Sequence, residues 1–148
     1  MTYETFPTSV TNLNPMTSIL ETRRRQGYGY SAVLSSDNEM LAFLGRLQKP
    51  AGTYDAAHVK EVIHLWESLK GAFSFRLPLP LVQPTVEGNI QLVWDVGWFY
   101  LDIDMRRDFR LEWFFRNRET NELDGTEDEP EYGVSDALIA RLWCICSA

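Results

Sequence analysis

Apolar residues recur at every second position in three consecutive runs between residues 89 and 116, and this alternation constrains the fold more than any other feature of the chain. A period of two is that of a β-strand, because successive side chains of a strand point to opposite faces of a sheet. Gly97-Trp98 and residues 106 to 108 are short enough to be hairpin connections. The pattern therefore predicts an antiparallel meander of three strands.

The same alternation divides the side chains of the meander between two faces. Because antiparallel sheets commonly pack one face on the core and leave the other in water, we expect an apolar inner face and an exposed polar face. The predicted inner face comprises Ile90, Leu92, Trp94, Val96, Phe99, Leu101, Ile103, Met105, Leu111, Trp113 and Phe115. The predicted exposed face comprises Gln91, Val93, Asp95, Tyr100, Asp102, Asp104, Arg110, Glu112, Phe114 and Arg116.

Helix signals flank the meander on both sides. Ser36 and Glu39 form a capping-box pattern before a helix of about residues 37 to 48, and Asp55 can cap a second helix over residues 56 to 70. We expect these two to form a helical hairpin. Ser135 can cap a closing helix that packs on the sheet.

The remaining segments carry weaker signals. Pro78, Pro80 and Pro84 predict an extended connector between the hairpin and the sheet. A fourth strand near residues 119 to 123 is weakly indicated. Residues 1 to 34 contain two prolines and many Ser, Thr and Asn, which predicts an irregular N-terminal arm. The expected architecture is α+β: this arm, then a single domain over residues 35 to 148 with a helical hairpin, a three- to four-stranded meander and a C-terminal helix.

The net charge of −7 is unevenly distributed. Residues 1 to 60 sum to +1 and residues 61 to 148 to −8, and residues 119 to 131 hold seven carboxylates without a cation. Nonspecific nucleic-acid affinity comes from cations that neutralise phosphates, so we expect no direct binding of nucleic acid, although Arg23 to Arg25 form a small basic patch. An acidic surface suits a protein partner with a basic surface, because opposite charges speed encounter and set orientation.

Other features bear on the cell compartment. No run reaches the roughly 18 apolar residues of a membrane span, and the first residues lack the basic-then-apolar order of a signal peptide. Cys144 and Cys146 are too close in sequence for an unstrained disulfide, which favours reduced thiols. We expect a cytoplasmic protein that binds neither a membrane nor a cofactor.

The sequence offers one candidate for catalysis. Asp95, Asp102, Asp104 and Glu112 share one predicted face of neighbouring strands, so two or three of them could hold a divalent cation as in metal-dependent hydrolases and nucleases. The alternative is a solvated face whose acids pair with arginines across strands. No nucleophile lies in a catalytic motif, and His58 and His64 read as packing or exposed residues.

One stretch resembles known sequences. The runs PTVEGNIQLVW at residues 84 to 94, LDID at 101 to 104 and WFFR at 113 to 116 resemble a group of short bacterial proteins without an established function. The resemblance covers about residues 55 to 117 and departs at Asn89 and at residues 96 to 99. It implies a bacterial or phage-derived origin and a compact α+β unit, and it implies no activity.

These observations favour a non-enzymatic, acidic protein-binding module: an inhibitor, antitoxin, immunity protein or component of a bacterial defence complex. A metal-dependent hydrolase or nuclease is the alternative, and homodimerisation through a sheet edge is a third possibility. The residues expected to contact the partner are Asp102, Asp104, Glu112 and Phe114 on the sheet, with Glu127, Asp128 and Glu129 on an acidic loop of residues 119 to 131.

Overall fold

A computed structural model describes residues 36 to 128 and 134 to 148 of the chain. The described residues form three helices and five strands, which confirms the α+β fold class. The predicted N-terminal arm lies outside the described residues. The elements in chain order are α1 (Asp37–Leu47), α2 (Ala56–Ala72), β1 (Leu81–Pro84), β2 (Ile90–Val96), β3 (Phe99–Met105), β4 (Leu111–Asn117), β5 (Glu122–Asp128) and α3 (Asp136–Ser147).

Side-chain caps begin two of the helices as the sequence predicts. Ser36 Oγ accepts a hydrogen bond from the Glu39 amide at 3.1 Å, and Ser135 Oγ accepts one from the Leu138 amide at 3.2 Å. Each bond satisfies an amide that has no partner within its helix. Asp55 precedes α2 without a side-chain cap, and its carboxylate accepts a hydrogen bond from Lys49 instead.

The five strands follow one another in the sheet in the order β1-β2-β3-β4-β5, and each pair is antiparallel. In the centre of the sheet Leu101 lies opposite Trp94 on one side and Phe115 on the other. Gly97 supplies the positive φ of 59° at the tight β2–β3 turn, a conformation that suits glycine. The predicted meander is thereby confirmed.

Both edges of the sheet correct the sequence-based prediction. Part of the predicted connector is strand β1, which tolerates Pro84 because an edge strand leaves some amide positions without a ladder partner. The weakly indicated fourth strand is a full seven-residue strand, β5, despite its poor strand-forming composition. Pairing along β4 stabilises β5, so tertiary context outweighs local propensity there.

The inner face of the meander is confirmed as the core. Trp94 of β2 lies 6.5 Å from Trp66 of α2, measured between ring centroids, and all three helices contribute buried side chains to this cluster. α1 and α2 also contact each other through polar groups. Asp37 of α1 accepts a hydrogen bond at 2.7 Å from Nε1 of Trp66 in α2, and it forms an ion pair with Lys70 of α2. The three helices therefore cover the apolar face of the sheet.

Within the described ranges, no helix combines the length and the apolar composition that crossing a membrane requires.

Candidate protein-binding surface

The centre of the polar face is buried, which contradicts the sequence-based prediction there, whereas Asp95 and Arg110 toward its margins are exposed as expected. Asp102 is 0% exposed, Asp104 is 3% exposed and Phe114 is 2% exposed. Gln91 and Val93 are buried as well. Alternation assigns side chains to a face, but it does not tell whether that face meets water. The prediction that Asp102, Asp104 and Phe114 present themselves to a partner is therefore wrong for this folded state.

The strand register explains how polar and apolar groups share the buried face. Asp102 lies opposite Val93 on β2 and Phe114 on β4, so apolar side chains flank its carboxylate. The Tyr100 hydroxyl donates a hydrogen bond to Asp102 Oδ2 at 2.9 Å, and the Tyr100 and Phe114 rings lie 6.2 Å apart. A buried carboxylate needs such donors, because desolvation without them is costly.

The four carboxylates proposed as metal ligands do not converge. Asp95 forms an ion pair with Arg118, with distances of 2.7 Å and 3.3 Å from the two guanidinium nitrogens to its oxygens. Half-buried Glu112 accepts a hydrogen bond from Arg106 at 3.3 Å, near the opposite end of the sheet. In residues 36 to 128 and 134 to 148, no group of three or more His, Cys, Asp or Glu side chains could hold a metal ion.

Strand β5 forms an acidic edge, and α3 partly neutralises it. Arg141 of α3 donates to Asp124 Oδ2 at 3.0 Å and to Glu122 Oε2 at 2.7 Å. Burial works to lower the pKa of Arg141, but these two hydrogen bonds outweigh it and raise the pKa. The Arg141 guanidinium also lies 4.4 Å from the centre of the Phe115 ring. Arg141 therefore anchors the edge strand to the core.

The predicted acidic loop of residues 119 to 131 is wrong for residues 122 to 128, which form strand β5 by pairing with β4, and two of the three acids predicted on that loop belong to this strand. The backbone of Glu127 lies opposite Glu112, and that of Asp128 lies opposite Leu111. Glu129 lies outside the described residues.

The turn from β2 to β3 and the turn from β4 to β5 lie at the same end of the sheet. The Arg118 amide donates a hydrogen bond to the Trp98 carbonyl at 2.8 Å, which holds the β2–β3 and β4–β5 turns side by side. Trp98 is 57% exposed, and Glu119, which follows Arg118 in the chain, is exposed too. We call this region the acidic turn surface and define it by Asp95, Trp98, Arg118, Glu119 and Glu122.

Part of the acidic turn surface could be predicted from the sequence. Trp98 stands out as a tryptophan in a tight turn, where few neighbours can bury it. The register places Phe99 opposite Asn117, which brings the turn before Phe99 next to the turn after Asn117. A sequence-based prediction that paired the start of β3 with the end of β4 would therefore have placed Trp98 near Glu119. The exposed aromatic and the acidic segment are therefore one region, although they lie 21 positions apart in the sequence.

A cleft of about 340 Å³ opens at the other end of the sheet. It lies where the start of α2 meets the turn before β2 and the β3–β4 turn, and its walls include buried His58 with side chains of both charge signs. A nearby hollow of about 360 Å³ shares Glu87 and Arg107 with it. Their mixed charges do not select one class of ligand.

The two cysteines of α3 are free, in accord with the expected reduced thiols. Burial raises the pKa of the Cys146 thiol against the opposing influence of Arg76. A raised pKa disfavours the thiolate, which is the nucleophilic form.

No family model matches the chain, and neither curated proteins nor solved structures give a significant match. The geometry of the chain itself therefore carries the functional argument.

Proposed function

We propose that this chain is a non-enzymatic protein-binding module that contacts a basic partner through the acidic turn surface and the adjoining acidic edge. The single observation that carries the proposal is the exposure of Trp98 beside Glu119 at one end of the sheet. Tryptophan is enriched among the residues that dominate binding energy in interfaces, and peripheral carboxylates add orientation and speed of encounter.

The charge distribution supports a basic partner. The segment from residue 119 to residue 131 has no cation of its own, and the chain carries a net charge of −7. Arg118 pairs with Asp95, and Arg141 pairs with both Glu122 and Asp124, so these three carboxylates keep one net negative charge. Glu119 remains at the surface, with no ion pair among the described residues. Glu127 and Asp128 of β5 also contact the partner in this proposal, together with Glu129, which lies outside the described residues.

Burial restricts the part that the sheet face can play in this interface. Asp102, Asp104 and Phe114 are too buried to contact a partner directly. Glu112 is half-buried and already bound to Arg106, so we assign it no more than a peripheral contact.

This surface chemistry suits several related functions. An acidic module can block a basic, nucleic-acid-binding site on another protein, as an inhibitor, antitoxin or immunity protein would, or it can join a bacterial defence complex. A bacterial or phage-derived origin is also a proposal, and it depends on the resemblance of residues 55 to 117 alone. A cytoplasmic location agrees with it.

Affinity capture from a lysate of the source organism tests the proposal, with captured proteins quantified by mass spectrometry. The test variant is Trp98→Ala combined with Glu119→Lys. Its matched control is Val86→Ala combined with Glu87→Gln, which removes an exposed apolar side chain and a carboxylate at the opposite end of the sheet. We expect the test variant to lose a partner with a basic surface by about tenfold or more, since a hot-spot tryptophan contributes about 2 kcal/mol.

The control should capture that partner as well as the unchanged chain does, and added salt should weaken the capture, because exposed charges are screened. Equal capture by the test variant and the unchanged chain would contradict the proposed surface. Light scattering on the purified chain addresses homodimerisation. Two β5 edges carry like charges, so we expect a monomer.

A further inference from the structure

His58 connects the start of α2 to the end of β3. Its side chain is 3% exposed, and Nε2 lies 2.9 Å from the Met105 carbonyl oxygen. A carbonyl oxygen only accepts hydrogen bonds, so Nε2 carries the proton and donates it. This bond joins two elements that are 47 positions apart in the sequence. The imidazole is therefore a tertiary link and not a helix-surface group.

Two aromatic rings enclose the imidazole. The Tyr54 ring meets it edge to face with the ring centroids 5.5 Å apart, and the Phe109 ring lies 6.5 Å away. Tyr54 is held in turn, because its hydroxyl donates to the Asn89 carbonyl at 3.1 Å. His58, Tyr54 and Phe109 all line the 340 Å³ cleft at this end of the sheet.

Charged groups face His58 from each neighbouring element. Arg107 of the β3–β4 turn opposes its protonation, whereas Asp55 at the start of α2 favours it. Lys49 and Glu87 line the same cleft from the segments before α2 and before β2. On its own helix, Glu61 lies one turn further on and is close to His64. The flanking charges are of both signs, so none of them guarantees a counter-ion for a charged imidazole.

We propose that His58 is a pH-sensitive latch: the neutral ring holds the first turn of α2 against the β3–β4 turn, and the protonated ring releases it and reshapes the cleft. Protonation adds an N–H at Nδ1, and the Met105 carbonyl already accepts from Nε2. The buried Nδ1–H then needs water or a second acceptor, and the rings of Tyr54 and Phe109 supply neither. The latch concerns the end of the sheet opposite the acidic turn surface, so it is independent of the proposed function.

The direction of the pH effect follows from burial. Desolvation lowers the pKa of His58 below its ordinary 6.5, although the bond to Met105 opposes the shift. The unfolded chain therefore takes up this proton at a higher pH than the folded chain does. The stability that neutral His58 contributes is present above pH 6.5, and it is lost as the pH falls through 6.5 toward the folded pKa.

The test compares His58→Gln with His64→Gln in urea denaturation between pH 7.5 and about 5, where most carboxylates remain ionised. Glutamine keeps an N–H donor for the Met105 carbonyl but cannot be protonated. His64 is mostly exposed on the same helix, which makes it the matched control. We expect the urea midpoint to fall with pH in the unchanged chain and in His64→Gln, and to fall clearly less in His58→Gln. Equal slopes in all three would overturn the latch.

Two further readouts keep the proposal testable if His58→Gln fails to fold. The chain has two histidines, so His64→Gln leaves His58 as the source of the remaining imidazole signal in NMR. That signal should titrate below pH 6.5. The protection of the Val59 amide, which donates to the Asp55 carbonyl in the first turn of α2, should also decrease at low pH, measured as the ratio of the intrinsic exchange rate at each pH to the observed rate. Titration at or above pH 6.5, or a protection of Val59 that does not change with pH, would contradict the latch.

Discussion

At the centre of the sheet both faces are buried, and the two faces are chemically opposite. Leu101 and Asp102 are neighbours in β3, point to opposite faces and are each 0% exposed. Leu101 belongs to the apolar cluster that the helices complete. Asp102 sits between Val93 and Phe114, which are buried outside that cluster. The comparison teaches that an alternating pattern reports which side chains share a face, and that polarity alone does not report contact with solvent.

The two faces also place different demands on their side chains. The apolar face gains stability from area removed from water and from close packing. The polar face must supply a hydrogen-bond partner for each buried polar group, as Tyr100 does for Asp102. Mutations should therefore destabilise the two faces through different mechanisms.

The largest effect is expected on the apolar face. Leu101→Ala removes a fully buried side chain from the centre of the core, and we expect the free energy of unfolding to fall by about 3 to 4 kcal/mol, from lost transfer energy and a residual cavity. Urea denaturation monitored by tryptophan fluorescence measures it. Exposed Val86→Ala is the control and should cost less than about 0.5 kcal/mol. A similar small loss for Leu101→Ala would mean that the apolar face is not packed.

A smaller loss is expected on the polar face. Asp102→Ala removes the acceptor of the Tyr100 hydroxyl, and we expect a loss of about 2 kcal/mol, because breaking a buried polar contact leaves its partner desolvated. Urea denaturation of Asp102→Ala, Tyr100→Phe and the double variant measures the coupling between the two side chains. Additive losses, or a loss within about 0.5 kcal/mol for Asp102→Ala, would indicate a solvated face.

The smallest effect separates two buried tryptophans of the apolar face. Trp94 Nε1 donates to the Pro78 carbonyl at 2.7 Å, whereas Trp113 Nε1 is buried and has no hydrogen-bond partner within the part of the chain that the structure describes. Replacement by Phe removes similar volume from both, so Trp94→Phe should cost about 1 kcal/mol more than Trp113→Phe. Thermal or urea unfolding of the two variants checks this difference. Equal costs, or a larger cost at Trp113, would contradict the assigned hydrogen bonds.

The sequence predicted those parts of the fold that local signals encode. The capping residues Ser36 and Ser135 located the starts of α1 and α3, and the period-two runs located three strands. Strand β5 was only weakly indicated, because its acidic residues form a strand through pairing with β4 and ion pairs to Arg141. Such long-range compensation leaves no local pattern.

The candidate site was less predictable than the fold. Burial of Asp102 and Asp104 could not be inferred, because a half-exposed strand and a strand covered on both faces can share the same alternation when acids have donors. The sequence placed Trp98 in a turn, but the position of this turn next to the one that holds Glu119 depends on the register of the strands. Register is a tertiary property, and it decided where the candidate surface lies.

Carboxylate labelling by carbodiimide and an amine, read by mass spectrometry on the native chain, tests the account most directly. The account predicts rapid modification of Glu119 on the acidic turn surface and protection of Asp102 and Asp104 until the chain is unfolded in denaturant. Native modification of Asp102 and Asp104 at the rate of Glu119 would contradict it, since these acids would then lie at the surface available to a partner.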